Sequence, residues 1–238
     1  EQPDEVAATI SAAAADQTLC PVGRPAVMSV SFSGGISIIA ASRAPAGPLL
    51  TIGAYGDARR TLRALLTDPS ADWYGVLIAI AHFSAPPLRA ALLAVAEDDF
   101  HHHPPAPERY TAWLSRSDAT RFLALIGSPE VRQEVLLPLL EGPSPLLDAL
   151  DATAAIPHLP APLTLVHGTD DDVIPPSESR DLAARCAALG LPVRLVITPL
   201  ISHGDNQSSP LSTLLHAPRL IGAVRMWMKE ASATTAYR

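Results

Sequence analysis

Apolar residues along this chain fall in short blocks separated by proline and glycine, and the blocks differ in character from one stretch to the next. Residues 4–18 are rich in alanine after an acidic start at Asp4 and Glu5, which predicts a helix. Pro21, Gly23 and Pro25 end it. Residues 26–32 (AVMSVSF) are a run of apolar and β-favouring side chains and predict a strand. Ser33-Gly34-Gly35 breaks the run, and residues 36–42 (ISIIAAS) predict a helix. After the turn Pro45-Ala46-Gly47-Pro48, residues 49–54 (LLTIGA) predict a second strand. Two strands joined by a helical crossover are parallel.

Residues 57–156 lose the strand signal. Segments 57–66, 73–83, 88–96, 109–114, 118–126 and 131–140 carry apolar residues at helical spacing, separated by proline-bearing breaks. A hundred-residue helical stretch inside an α/β chain reads as an inserted cap, so residues 1–56 and 157–238 form the α/β core. The core pattern returns with a strand at 163–166 (LTLV), a helix at 177–189, a strand at 193–198 (VRLVIT), a loop over 199–212 and a closing amphipathic helix at 214–231. This order predicts an α/β fold class: a parallel sheet flanked by helices, with a helical insertion.

Composition narrows the function classes. The 238 residues carry 17 Lys and Arg against 24 Asp and Glu, a net charge of −7, with no basic cluster. That argues against a nucleic-acid partner, whose phosphates need cationic neutralisation. Two cysteines, Cys20 and Cys186, allow at most one disulfide and no cysteine-rich metal site. The 24 prolines are about twice the ordinary frequency and act as punctuation between apolar segments. The densest apolar runs, such as VLIAIA at 76–81, fall well short of a membrane span.

Three segments carry candidate chemistry. Ser31-Phe32-Ser33-Gly34-Gly35 lies at a strand-to-helix junction, where a serine on a tight turn flanked by small residues becomes an exposed nucleophile. The reading centred on Ser33 makes the Gly34 amide the oxyanion donor at the helix N-terminus; the alternative is a plain serine cap. His167-Gly168-Thr169-Asp170-Asp171-Asp172-Val173-Ile174-Pro175 follows a strand and sets three carboxylates at its C-terminal end. An acidic turn and a hard-cation site with His167 compete for that stretch. His203 lies in the loop after the last strand, within Ser202-His203-Gly204-Asp205. Ser33, Asp171 and His203 in this order, each after a separate parallel strand, follow the order of a nucleophile, acid and base triad. His101-His102-His103, between Asp98-Asp99 and Pro104-Pro105, reads as an exposed loop of the insertion and not a metal tract.

On these motifs the chain resembles the α/β-hydrolase superfamily over most of its length. HGTDDDVIP is similar to the family's Gly-x-x-Asp-x-Val-x-Pro stretch around the catalytic acid, SFSGG to its nucleophile elbow, and Ser202-His203-Gly204 to its histidine loop. The resemblance implies a serine hydrolase that cleaves a small-molecule carboxylic ester through Ser33, Asp171 and His203, with no cofactor and no metal. A peptidase or acyltransferase on the same fold, or a catalytically silent ligand-binding relative, would carry the same motifs. The family's first strands, and with them the second oxyanion donor, have no counterpart in residues 1–25. Strand 26–32 is therefore expected to expose an apolar edge that a missing N-terminal segment or an oligomer partner would cover.

Overall fold

A computed structural model describes residues 2–69, 71–100, 107–201 and 210–233. Helix α1 (Gln2–Ala15) leads into strand β1 (Val27–Val30), helix α2 (Phe32–Ala41) and strand β2 (Leu49–Ile52). A helical stretch follows: α3 (Ala58–Thr67), α4 (Trp73–His82), α5 (Pro86–Phe100), α6 (Pro107–Thr111), α7 (Arg116–Gly127), α8 (Pro129–Glu141), α9 (Pro145–Ala149) and α10 (Ala152–Ala155). Strand β3 (Leu163–Gly168), α11 (Ser177–Ala188), β4 (Val193–Thr198) and α12 (Pro210–Ala233) complete the described chain. The four strands are parallel and ordered β1-β2-β3-β4, so the fold is a parallel sheet flanked by helices.

Alternation along the strands decides which face meets which helices. Val27, Leu49, Leu163, Leu165 and Val193 lie on one face with Ile10 of α1, Ile38 and Ile39 of α2, Ala155 of α10 and Leu182 of α11, forming the buried core. Fully burying each large aliphatic side chain there contributes roughly 1.5–3 kcal/mol. The opposite face is covered by α12, which packs on β2, β3 and β4. Its Trp227 Nε1 donates to the Pro48 carbonyl at 3.0 Å, and its Glu230 pairs with Arg194 of β4 at 2.6 Å. β1 lies at one edge of the sheet, and its outward residues on this second face, Met28 and Val30, are 56% and 52% exposed. Both cysteines are buried free thiols.

The chain divides into two compact units, Glu1–Thr61 with Leu146–Arg238, and Leu62–Pro145. Residues 57–61 and 146–156, assigned to the insertion from sequence, belong to the sheet unit. An isolated antiparallel bridge between Asp57 and Asp151 and a bond from the Thr153 amide to the Gly56 carbonyl at 3.1 Å tie them there. Within the helical unit, caps define the ends: Asp72, Ser115 and Ser128 accept from the amides of Gly75, Asp118 and Val131. Five helices open on proline (Pro86, Pro107, Pro129, Pro145, Pro210), where the missing N–H would have had no helical partner. Much of the proline excess thus starts helices. Among the described residues, no helix is long and apolar enough to cross a membrane.

Candidate active site

In a parallel sheet the C-terminal strand ends share one edge, where α/β proteins gather their functional groups. Ser31 follows β1, Asp171 follows β3, and Ile201 lies just beyond β4, so three of the segments singled out in the sequence reach this edge. Their local structures differ in informative ways.

Ser31 joins β1 to α2 with φ 60° and ψ −140°, the only positive φ of a non-glycine residue among those described. A side chain in that region costs on the order of 1–3 kcal/mol and persists only where the surroundings impose it. Here they do. The Ser31 amide donates to the Ile52 carbonyl at 2.7 Å, and its carbonyl accepts from the Gly34 amide at 2.8 Å, so the residue is fastened to both strand and helix. It occupies the cap position of α2 without a side-chain capping bond. The strained backbone of this junction therefore falls on Ser31 and not on Ser33.

Ser33, the residue expected to be the nucleophile, is already inside the first turn of α2 with ordinary backbone. Its hydroxyl donates to the Val30 carbonyl at 2.5 Å and accepts from the Val30 amide at 3.2 Å. The expected oxyanion donor is the Gly34 amide. It is engaged by the Ser31 carbonyl, so it is not aimed at a bound oxyanion. The Phe32 amide belongs to the first residue of α2, where helical N–H groups have no intrahelical acceptor and the helix dipole is positive.

Small residues let α2 sit this close to the sheet. A Cβ on Gly34 would lie 2.6 Å from Ala54 Cβ and 2.9 Å from Ala54 Cα, and one on Gly35 would run into the Tyr55 ring. Tyr55 is 2% exposed and stacks at 5.8 Å from Phe32. Burial, and to a lesser extent Asp151, pushes its hydroxyl pKa up. Tyr55 thus packs behind the Ser31–Phe32 turn, whereas Gly56 and Asp57 face away from it, toward Glu178 and Asp151.

The three consecutive carboxylates are not equivalent. Asp170 and Asp172 are exposed, whereas Asp171 is buried. Its Oδ1 accepts from the Val173 and Ile174 amides at 3.1 and 2.8 Å, and its Oδ2 lies 3.3 Å from His167 Nε2. His167, fully buried on β3, also places Nε2 at 2.8 Å from the Ile174 carbonyl, which requires the proton on Nε2. Nδ1 lies 2.7 Å from the Ser179 hydroxyl, which also reaches the Ala54 carbonyl at 3.5 Å. His167 is therefore an internal brace for the Asp171 turn, and the cation reading for it does not fit the bonds its ring nitrogens make.

His203 lies outside the described residues, as do Ser202, Gly204, Asp205 and the His101-His102-His103 tract. The chain leading to His203 is described as far as Ile201. Its carbonyl sits so close to Gly168 that a Cβ there would be 2.2 Å away, with Asp171 Cβ at 3.6 Å from the same point. Only glycine at 168 admits this crossing.

A second constellation was not foreseen from sequence. Glu178 of α11 is buried, yet ionic in its bonding. Its Oε2 accepts from the Gly56 and Asp57 amides, each at 2.9 Å, and from Arg60 Nη2 at 3.0 Å. Its Oε1 accepts from Arg60 Nε, and Arg60 also meets Asp181 at 3.1 Å. This clamp fastens the loop after β2 to α11. The spacing Gly56-Asp57…Arg60 followed much later by Glu178 offers no local motif by which it could have been read.

No family model matches the chain, and no curated protein matches it. Solved structures give weak matches. A puromycin-hydrolyzing peptidase of Mycobacterium tuberculosis aligns at 12% identity and TM-score 0.44, over 90% of this chain and 22% of that one. An acylaminoacyl peptidase of Pyrococcus horikoshii aligns at 12% identity and TM-score 0.43, over 84% and 23%. A meta-cleavage product hydrolase of Pseudomonas fluorescens aligns at 19% identity and TM-score 0.40, over 90% and 68%. The chain spans less than a quarter of the length of the two peptidases.

Proposed function

We propose that this chain carries the active site of a serine hydrolase acting on carboxylic esters, with Ser31 as nucleophile, Asp171 as the acid and His203 as the base. The observation that carries the reading is the backbone of Ser31: an L-residue held at positive φ where a parallel strand turns into a helix. Such strain concentrates at functional sites, and a serine on a turn of this kind stands beside the N–H groups that open a helix. The burial of Asp171 between two exposed aspartates supports its part, and the sequence pattern Ser202-His203-Gly204 supports that of His203.

In this mechanism His203 removes the Ser31 Oγ proton as Oγ bonds to the ester carbonyl carbon. The carbonyl oxygen takes the charge and accepts from the Phe32 amide. Collapse breaks the bond to the alkoxide, which leaves as an alcohol with the proton from His203. Water, deprotonated by the same histidine, then attacks the acyl-enzyme, and the carboxylic acid departs as Ser31 regains its proton. Asp171 holds the imidazole tautomer and stabilises its protonated form. A fluorophosphonate probe followed by peptide mapping tests the assignment. Label on Ser31, abolished by Ser31→Ala and retained by Ser33→Ala, is the expected result. Label on Ser33 would return the nucleophile to that position, and an unlabelled protein would point to a silent ligand-binding fold.

A further inference from the structure

His167 stands where the sheet would ordinarily take an aliphatic side chain. By strand alternation it continues the core face of Leu163 and Leu165 on β3, and it is fully buried. An imidazole there costs desolvation that leucine or valine would not, unless its ring nitrogens are used. Both are used here. Nδ1 is set by the Ser179 hydroxyl at 2.7 Å, which reaches on to the Ala54 carbonyl. Ala54 is the residue against which Gly34 of α2 closes, and the Gly34 amide holds the Ser31 carbonyl at 2.8 Å. Nε2 faces the Ile174 carbonyl at 2.8 Å and Asp171 Oδ2 at 3.3 Å. The ring thus sits between the strand end behind Ser31 and the turn that carries Asp171.

The amides of Val173 and Ile174 both go to one oxygen of Asp171, Oδ1. A carboxylate held by one oxygen can still swing the other about its Cβ–Cγ bond. The acid of a triad must not, because it keeps one imidazole tautomer in line. We propose that His167 is a positioning residue for this acid: its Nε2–H, shared with the Ile174 carbonyl, holds Asp171 Oδ2 and fixes the plane of the carboxylate. This role rests on the reading of Ser31 as nucleophile and Asp171 as acid. His167 acts on the reaction only through Asp171, so its contribution vanishes when that carboxylate is absent.

Rates of fluorophosphonate labelling at Ser31, measured on the full chain with melting curves alongside, test the role. A glutamine amide nitrogen reaches the place of Nε2, whereas an asparagine amide stops at the place of Nδ1. His167→Gln should therefore label within about three-fold of wild type, and His167→Asn roughly ten-fold more slowly. That is the low end for a hydrogen bond to a charged group, because this one is long and shared. The loss should fall on the limiting rate of labelling and not on the probe concentration that gives half of it. In an Asp171→Ala background, His167→Asn should cost nothing further. If Asp171→Ala does not fold, Asp171→Asn, which keeps an acceptor for the two amides, takes its place. A His167→Asn rate equal to wild type, or a His167→Gln rate as slow as that of His167→Asn, would overturn the role. So would an equal loss without the Asp171 carboxylate, which would leave His167 a core residue alone. A wild-type protein that takes no label overturns the hydrolase reading and this role with it, so the wild type tells the two failures apart.

Discussion

Removing the Glu178 carboxylate should be the most damaging single change on the sheet unit outside the hydrophobic core. In Glu178→Ala the amides of Gly56 and Asp57 lose their shared acceptor in a site where the glutamate side chain is 1% exposed. Each orphaned buried N–H costs about 1–1.5 kcal/mol. The Arg60 fork adds less than a buried ion pair usually does, because Arg60 is 43% exposed and keeps Asp181. The sum is about 3–4 kcal/mol, a fall in melting temperature of about 6–16 °C for a chain of this size. Glu178→Gln retains an acceptor for both amides and should lose only about half as much. Arg60→Ala leaves the carboxylate on its two amides and should lose about 1 kcal/mol. Urea unfolding of the three variants reads the series directly. A cost below about 1 kcal/mol for Glu178→Ala, or a larger cost for Arg60→Ala than for Glu178→Ala, would refute the view that the two amides are what the carboxylate serves.

Gly34→Ala should destabilise the protein by about 1–3 kcal/mol and lower fluorophosphonate labelling, because the new Cβ meets Ala54 Cα, a backbone atom that no rotamer change can move. Thermal melts beside labelling rates check it; a wild-type melt would show that α2 does not need its close approach. Cys186, whose burial pushes the thiol up to about 11, should resist iodoacetamide at pH 8 in the native protein and react after denaturation. The same shift has a stability consequence. The unfolded thiol ionises near pH 9 while the folded one stays protonated, so stability should fall as pH rises from about 9 to about 11. That fall should be absent in Cys186→Ala.

Much of the sheet was legible in sequence because its strands are short apolar runs bounded by proline and glycine. The four expected strands lie within a few residues of Val27–Val30, Leu49–Ile52, Leu163–Gly168 and Val193–Thr198. The strained residue, Ser31, lies two positions before the expected Ser33 for a physical reason. Ser29-Val30-Ser31-Phe32-Ser33 and Ser31-Phe32-Ser33-Gly34-Gly35 are overlapping frames with the same small-x-Ser-x-small spacing. Phe32 favours a strand by propensity, which carried the expected strand too far, whereas in the fold it opens α2. Only backbone conformation separates the frames. Glu178 with Arg60 was illegible because 118 residues separate them, and His167 with Ser179 because the fold brings a strand and the following helix together without a local motif.

The bridge between Asp57 and Asp151 makes the helical unit a detachable piece of architecture. Its entry and exit are pinned side by side on the sheet unit, and the loop they close is roughly ninety residues, whose closure entropy grows only with the logarithm of length. Halving that loop would change its closure entropy by only about 0.6 kcal/mol. A short linker spliced between the two anchor points would therefore leave β2 and β3 to pair as before. Selection can lengthen, shorten or exchange the helices between those anchors while the sheet keeps its register.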